Sequence, residues 1–340
     1  MTIKEIAEKA GVSMMTVSNV INKKYSKVSN KTVEKVNKII EENHYVPNLS
    51  ARNLSAQNSK IIAIFLPFYK EFENSENLFS NPYISQILGL IEKKLRQNGY
   101  FAMIRSVDNI KDTNTFLQNW KVDGAIFIFP FYHENVEKLI KNNHIPLVFM
   151  DYYSDNPNIL SVNIDDYKGT YIATKYLINK GHTNIAFVAK VEDNPLLLQR
   201  YNGYKDALLS SEIKINEDNI FDEDLTYLSG VKIGKKIASR KDITAVVTTA
   251  DVCAIGILEG AKLSGLSIPN DLSVIGYDNL PISTYVSPKL TTIDQHIDIK
   301  GERVIELLFD RLTNNNKVPN KLIIDVDLIE RQSVSNKYIF

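Results

Sequence analysis

Residues 2–22 read TIKEIAEKAGVSMMTVSNVIN, and they predict two short helices joined by a tight turn. Thr2 and Glu5 stand at the spacing of a capping box, and apolar residues then recur three and four positions apart, as on one face of a helix. Gly11 favours a left-handed end to that helix, and Ser13 can cap a second one. Helix, glycine-containing turn and helix together are typical of a helix-turn-helix.

A third helix is predicted after the second. Ser29 can cap it, a hydrophobic staple spans its first turn, and Tyr45 and Pro47 end it. In this interpretation residues 1–46 form an all-α helix-turn-helix domain that binds DNA. An ordinary three-helix domain with a solvated basic face is the alternative.

The charge of the chain is divided unevenly. Residues 1–60 hold ten Lys or Arg and five Glu, a net charge of +5, although the whole chain holds 40 basic and 40 acidic residues. Residues 61–340 therefore carry a net charge of −5. This asymmetry suits an N-terminal domain that meets nucleic-acid phosphates while the rest of the chain stays off them.

The same residues carry a family resemblance. Residues 2–22, together with HYVPNLSARNL at residues 44–54, resemble the headpiece and hinge of the LacI-GalR family of bacterial repressors, and the resemblance extends to ERQS at residues 330–333. It implies a DNA-binding transcriptional regulator with a hinge helix at residues 47–57.

The second helix is predicted to read the operator. Serine and asparagine can hydrogen-bond base edges, while methionine offers apolar contact. We expect Met15 and Asn19 to read an A·T-containing half-site; packing of Met15 on the first helix is the alternative. Thr16 and Ser18 are expected to hold phosphate. The predicted DNA-binding residues of headpiece and hinge are Thr2, Ser13, Met14, Met15, Thr16, Ser18, Asn19, Asn22, Tyr45, Asn48, Arg52, Leu54 and Ser55.

The hinge at residues 47–57 is too short for a stable isolated helix, which needs about 12 to 15 residues. The resemblance implies that it folds on the operator, pairs with the hinge of a second subunit, and inserts Leu54 between base pairs. Burial of Leu54 against the core is the alternative. Ser55 stands where some relatives carry a lysine.

Residues 60–340 alternate apolar, strand-like runs with amphipathic helical patterns, which is typical of parallel α/β sheets. So long a stretch exceeds one α/β domain, and two doubly wound lobes are predicted. The resemblance implies a periplasmic-binding-protein-like core. We place lobe 1 at about 60–160 and 290–320, and lobe 2 at about 161–289 and 321–340. The predicted fold class is thus α/β with an all-α headpiece.

Ligands of such sheets bind beyond the carboxyl ends of the strands. Arg200 in RYNGY and Asp278 in IGYDN match family motifs whose arginine and aspartate hold effector oxygens. An arginine fork donates and a carboxylate accepts, so together they suit vicinal hydroxyls; a surface ion pair is the alternative for each. The predicted effector-binding residues are Tyr83, Arg105, Asp166, Arg200, Leu225, Asp251 and Asp278.

Four features bear on the effector and its site. Ala250 stands where relatives often carry an asparagine that contacts sugar, and Leu225 replaces an aromatic residue of the purine-sensing branch, which disfavours a purine. Tyr83 matches an aromatic residue that stacks on the ligand, with core packing as the alternative. The long aromatic loop at residues 67–81 is predicted to cover the cleft.

Enzymatic and membrane functions find no support in the sequence. It contains no G-x-S-x-G, H-E-x-x-H, Walker or C-x-x-C motif, and its five histidines lack metal-ligand spacing, so neither cofactor nor metal is expected. The N-terminus shows no signal-peptide pattern, and Cys253 is the single cysteine. We expect a cytoplasmic, nucleoid-associated protein.

The expected function is that of a repressor of a carbohydrate-utilisation operon. Its partners would be a pseudo-palindromic operator in double-stranded DNA, a second copy of the chain, and a sugar-like effector between the lobes. Effector contacts from both lobes would set the distance between the two hinges. The alternative is a global catabolite-type regulator whose corepressor is a phosphorylated carrier protein.

Overall fold

The computed structural model describes residues 1–45, 58–67, 78–107, 110–129, 136–191 and 194–337. The chain divides into two units, Met1–Ser59 and Lys60–Phe340. The predicted hinge at 47–57, with Asn48, Arg52, Leu54 and Ser55, lies outside the described residues, as does most of the loop at 67–81.

The N-terminal unit contains the three predicted helices: α1 (Ile3–Ala10), α2 (Met14–Ile21) and α3 (Asn30–Glu42). Gly11 ends α1 in the left-handed conformation, with φ 66°, as a glycine permits. A short 3₁₀ turn at Tyr25–Lys27, which the sequence pattern does not predict, connects α2 to α3.

The caps of these helices are those that the sequence predicts. Thr2 and Glu5 form the capping box, in which the Thr2 backbone N–H donates to Glu5 Oε2 at 2.8 Å. Ser13 Oγ accepts from the Thr16 backbone N–H at 3.1 Å, and Ser29 caps α3 in the same way. The helices enclose a small apolar core, formed by Ile6, Ala7, Ala10, Val17, Val20 and Val36.

The described residues of the larger unit form two six-stranded sheets. The strands of the first sheet are β1 (Ile61–Pro67), β2 (Phe101–Val107), β3 (Gly124–Ile128), β4 (Leu147–Met150), β5 (Leu160–Ile164) and β11 (Lys321–Ile324). Their order is β11-β5-β4-β3-β1-β2, and all neighbours are parallel. Reversal of strand order between β1 and β3 creates a crevice at the carboxyl edge, where ligands of such sheets bind.

The second sheet has the same plan. Its strands are β6 (Ile185–Val188), β7 (Ile220–Phe221), β8 (Ala245–Thr248), β9 (Ser273–Asp278), β10 (Thr291–Asp294) and β12 (Asp327–Ile329). Their order is β12-β10-β9-β8-β6-β7, and β12 is antiparallel to β10 whereas the other pairs are parallel.

Helices cover both faces of each sheet, which explains why the strands are apolar throughout. The first sheet packs against α4 (Pro82–Gln97), α5 (Ile110–Trp120), α6 (Val136–Lys141) and α11 (Ile297–Leu312). The second packs against α7 (Asp166–Asn179), α8 (Pro195–Leu209), α9 (Tyr227–Ser239) and α10 (Asp251–Leu263). In the described parts of the chain, no helix is long and apolar enough to cross a membrane.

The assignment of segments to the two lobes needs correction. Strand β5 was predicted in lobe 2 but lies in the first sheet; β10, within the 290–320 segment given to lobe 1, lies in the second sheet. Strand β11, given to lobe 2, pairs with β5 in the first sheet. Only α11 and β12 follow the predicted placement of these late segments. Buried parallel strands share one apolar pattern, so periodicity cannot assign a strand to one of two similar sheets.

Candidate effector site and DNA-binding surface

Three of the seven predicted effector residues lie at the carboxyl ends of strands. Asp166 follows β5, Asp251 follows β8, and Asp278 ends β9. Two further residues at strand ends, Phe129 and Asp151, share with Asp278 a positive φ, at 49°, 58° and 119° respectively. Non-glycine residues rarely adopt this conformation, and the strain concentrates at binding sites, so the strand ends are the candidate effector site.

Arg200 on α8 is held rigidly at this edge. Its Nε donates to Asp166 Oδ1 at 2.7 Å, and its Nη1 donates to the Thr249 carbonyl at 2.7 Å. The guanidinium carbon lies 3.8 Å from the centre of the Tyr277 ring. Asp166 Oδ2 also accepts from the Tyr153 hydroxyl at 2.7 Å. Arg200 is 4% exposed, so the alternative of a surface ion pair is wrong, and the direct partner of Arg200 is Asp166.

Asp278 and Asp251 form a pair of buried carboxylates. The Asp251 backbone N–H lies 3.4 Å from Asp278 Oδ2, and Gln295 Nε2 donates to Asp278 Oδ1. Burial raises the pKa of Asp278 to about 7. Burial also raises the pKa of Asp251 well above its usual range, and the charge of Asp278 adds to that effect.

The Asp251 carboxylate is occupied within the second lobe. Its Oδ1 accepts from the Thr292 hydroxyl at 2.5 Å, and its Oδ2 accepts from the Leu280 backbone N–H at 2.8 Å. Because both oxygens are engaged in joining α10 to the turn after β9 and to β10, the role that the structure gives Asp251 is to hold Asp278 in place.

Tyr83, at the start of α4, is 5% exposed and belongs to the apolar core of the first lobe. Its hydroxyl accepts from Lys300 Nζ at 2.8 Å and donates to Asp151 Oδ2 at 3.3 Å. Its ring lies 5.5 Å from the ring of Phe129, tilted by 39°. The alternative of core packing therefore holds, although the hydroxyl reaches the polar strand-end cluster.

The helix predicted to read the operator is α2 of the headpiece. Met14 and Met15 are 56% and 74% exposed, so the alternative that Met15 packs on the first helix is wrong. Ser18 and Asn19 are half-buried on the same helix, and the Asn22 side chain donates to the Ser18 carbonyl at 2.8 Å.

The remaining headpiece residues of the DNA-binding prediction have structural contacts of their own. The Thr16 and Ser13 hydroxyls lie 2.9 Å apart. Tyr45 packs against the headpiece core, and Thr2 is engaged in the cap of α1. These contacts leave Met14 and Met15 as the most exposed side chains of the predicted reading helix.

Comparison with known proteins identifies the family. A model of bacterial regulatory proteins of the lacI family matches residues 2–48, and a model of periplasmic binding protein-like domains matches residues 174–334. The HTH-type transcriptional repressor PurR of Pasteurella multocida strain Pm70 is 33% identical over 344 residues, which cover 99% of each chain. The chain belongs to the LacI family of bacterial regulatory proteins.

Other relatives agree along the whole length of this LacI-family chain. The HTH-type transcriptional regulator MalR of Clostridium butyricum is 32% identical, covering 99% of this chain and 100% of its own. A lac repressor dimer bound to operator and the anti-inducer ONPF has a TM-score of 0.86 at 26% identity, covering 98% and 99% of the two chains. The complex of the transcriptional regulator CelR with cellobiose has a TM-score of 0.73 at 27% identity, with the same coverage. This chain is accordingly a DNA-binding transcriptional regulator and not an enzyme.

Two predicted effector residues of this LacI-family protein lie apart from the cluster. Arg105 is exposed on the edge strand β2, and among the described residues no hydrogen bond or ion pair joins it to the other predicted effector residues. Leu225 is half-buried and packs against the apolar cores of the second lobe. The structure therefore favours a packing role for Leu225 and gives Arg105 no part in the strand-end cluster.

Three polar residues of the site were missed from the sequence: Asp151, Gln295 and Lys300. Asp151 directly follows the apolar strand β4, which is the signal that selected Asp166, so the same rule would have found it. Lys300 stands on the apolar stripe of α11, between Ile297 and Val304, at the spacing of one helix face. A lysine at such a position is seldom buried unless it is paired, and its place in that stripe was the available signal.

Proposed function

We propose that this LacI-family regulator represses a carbohydrate-utilisation operon and is switched by a sugar, or sugar derivative, bound between its two lobes. The observation that carries the proposal is the pairing of a rigid donor with an acceptor at the strand ends. Arg200 Nε and Nη1 are engaged by Asp166 and Thr249. In the part of the chain that the structure describes, Nη2 has no hydrogen-bond partner, so it remains a donor for a ligand oxygen. Asp278 is an acceptor near it, close enough for Arg200 to lower its pKa against the effect of burial.

A hydroxyl-rich ligand suits this arrangement, because each hydroxyl both donates and accepts. The binding of cellobiose by the similar CelR supports a sugar. Because several similar proteins are named PurR, the test must also distinguish a sugar from a purine.

The DNA-binding part of the proposal rests on the headpiece. We propose that two copies of the chain bind a pseudo-palindromic operator in the cytoplasm, with Met15 and Asn19 reading an A·T-containing half-site and residues 47–57 folding on the DNA. The exposure of Met15, and the assembly of the similar lac repressor as a dimer on its operator, support this reading.

A ligand screen by melting temperature tests the effector. Cellobiose, maltose, ribose, their phosphates and purine bases are each added to the full chain. A ligand at 100 times its Kd stabilises the folded state by about 2.7 kcal/mol. We expect a neutral sugar to raise the melting temperature of the wild type and to do so less in Arg200→Lys, which keeps the charge but loses the fork. Arg240→Lys, at an exposed ion pair in the same lobe, is the matched control.

Other results would contradict the sugar proposal. If purine bases alone raised the melting temperature, the effector would be a purine and not a sugar. Stabilisation by none of these compounds, together with operator binding that requires a phosphorylated carrier protein, would favour the catabolite-type alternative.

A further inference from the structure

Lys300 is a fully buried lysine near the start of α11, with 0% of its side chain exposed. Its Nζ donates to Asp151 Oδ1 at 2.5 Å, to the Tyr83 hydroxyl at 2.8 Å, and to Gln295 Oε1 at 3.2 Å. An ammonium group has three N–H donors and no acceptor, so these three bonds use its whole capacity. A lysine without such partners would be costly to bury.

Lys300 fixes the orientation of the Gln295 amide. Gln295 stands between β10 and α11, where the chain crosses from the second lobe to the first, and it is 2% exposed. Since an ammonium cannot accept, the amide oxygen must face Lys300, and the amide nitrogen is then directed at Asp278. The ionised Asp278 carboxylate, which only accepts, selects the same orientation, so both ends of the amide are specified by their partners.

The resulting series of hydrogen bonds joins the two lobes. Asp278 ends a strand of the second sheet, whereas Asp151 follows β4 of the first sheet and Tyr83 begins α4, which packs on that sheet. Asp278, Gln295, Lys300 and Asp151 are therefore linked in that order through side chains, at the edge where the effector is proposed to bind. A ligand that takes the Asp278 carboxylate competes with the Gln295 amide for it.

We propose that Lys300 is a positioning residue, which through Gln295 couples the state of Asp278 in the second lobe to Asp151 and Tyr83 in the first. This inference rests on the proposed function, because the coupling would transmit effector binding at Asp278 to the first lobe. Its test needs no effector and uses the full chain.

Hydrogen–deuterium exchange read by mass spectrometry measures the coupling. Asp278→Asn changes the relay at its second-lobe end. It should change amide exchange of the first-lobe segments 82–88 and 147–151 by about threefold or more. In the Gln295→Leu background the same change at position 278 should leave those segments unaltered. Thr174→Val is the matched control, since Thr174 is buried in the second lobe and its hydroxyl donates to the Thr170 carbonyl within α7, outside the relay; it should leave first-lobe exchange as in the wild type.

A second pair of variants removes Lys300 itself. Lys300→Met alone leaves the buried Asp151 charge without its cation, so Asp151→Asn/Lys300→Met removes the two charges together. In that background, too, Asp278→Asn should leave segment 82–88 unchanged. The relay would be overturned if Asp278→Asn left first-lobe exchange unaltered. It would also be overturned if Asp278→Asn changed that exchange as much in the Gln295→Leu and Asp151→Asn/Lys300→Met backgrounds as in the wild-type background. Coupling that persists while no sugar shifts the melting temperature would instead refute the proposed effector alone.

Discussion

Replacement of Asp166 by Asn should be one of the more destabilising single changes in the second lobe. Asp166 is completely buried, accepts from Arg200 Nε at 2.7 Å and from the Tyr153 hydroxyl at 2.7 Å, and is the carboxylate in direct contact with the buried Arg200. Removing one partner of a buried ion pair costs about 3 to 5 kcal/mol, because the other charge stays in a medium of low polarity. Asn retains one carbonyl acceptor at the same place, so we expect the lower end, about 3 kcal/mol.

The melting temperature of the full chain measures this effect. For domains of 150–250 residues, about 1 kcal/mol corresponds to about 2 to 4 °C, so Asp166→Asn should lower the melting temperature by about 6 to 12 °C. The double variant Asp166→Asn/Arg200→Gln removes the unpaired charge and should be less destabilised than the single variant. Asp242→Asn, which weakens the exposed pair with Arg240, is the matched control and should lower the melting temperature far less than Asp166→Asn does.

A small effect of Asp166→Asn, no larger than that of Asp242→Asn, would refute this reasoning. Such a result would mean that another group balances the charge of Arg200 when Asp166 is replaced. Asp278, whose charge also acts on Arg200, would then be the candidate replacement partner.

Three further outcomes are expected. Because burial raises the pKa of Asp278 to about 7, above the value of an unfolded aspartate, the folded state holds the proton more tightly; the stability this contributes is lost as pH rises from about 4 to 7. Between about pH 4 and 7 the melting temperature of Asp278→Asn should therefore fall less with rising pH than that of the wild type. An equal fall in the two proteins would contradict the prediction. Asn19→Ala should cost about 1 to 3 kcal/mol of operator binding in a mobility-shift titration and relax the preference for A·T at one position, whereas an unchanged preference would remove Asn19 from base reading. Leu54→Ala should weaken both operator affinity and its response to effector in the same assay, and retention of both would contradict the hinge mechanism.

The headpiece was predictable from sequence because its determinants are local. The capping box of Thr2 and Glu5, the left-handed Gly11 and the cap at Ser13 each involve residues within a few positions of one another. Short-range signals of this kind are read directly from the chain. All three helices were found, and only the 3₁₀ turn at Tyr25–Lys27, which has no such cap, was missed.

The lobes and the site were predictable only in part, because their determinants are distant in sequence. The strands of the central runs were found from their apolar character, but β10 and β11 were placed in the wrong lobes, since membership is decided by pairing with β9 and β5. In the site, position at a strand end selected Asp166 and Asp278. The pairing of Lys300 with Asp151, 149 residues apart, depends on the packing of α11 against the first sheet.

The charges of the site bear on what it can hold. Among the described residues, four buried aspartates meet two buried cations there: Asp151, Asp166, Asp251 and Asp278 with Arg200 and Lys300. Each cation already has a carboxylate partner, Arg200 with Asp166 and Lys300 with Asp151.

An anionic ligand would therefore meet no unpaired buried cation and would face Asp278, whose charge its own would oppose. A hydroxyl can donate to Asp278 without that repulsion and can accept from Arg200 without breaking the bond to Asp166. The same surplus of carboxylates explains why Gln295, a neutral donor, lies against Asp278, and why loss of Lys300 would leave the site with one compensated carboxylate fewer. The electrostatic argument for a neutral, hydroxyl-bearing effector and the geometric argument for the Lys300 relay thus depend on the same buried residues, although the experiments that test them are separate.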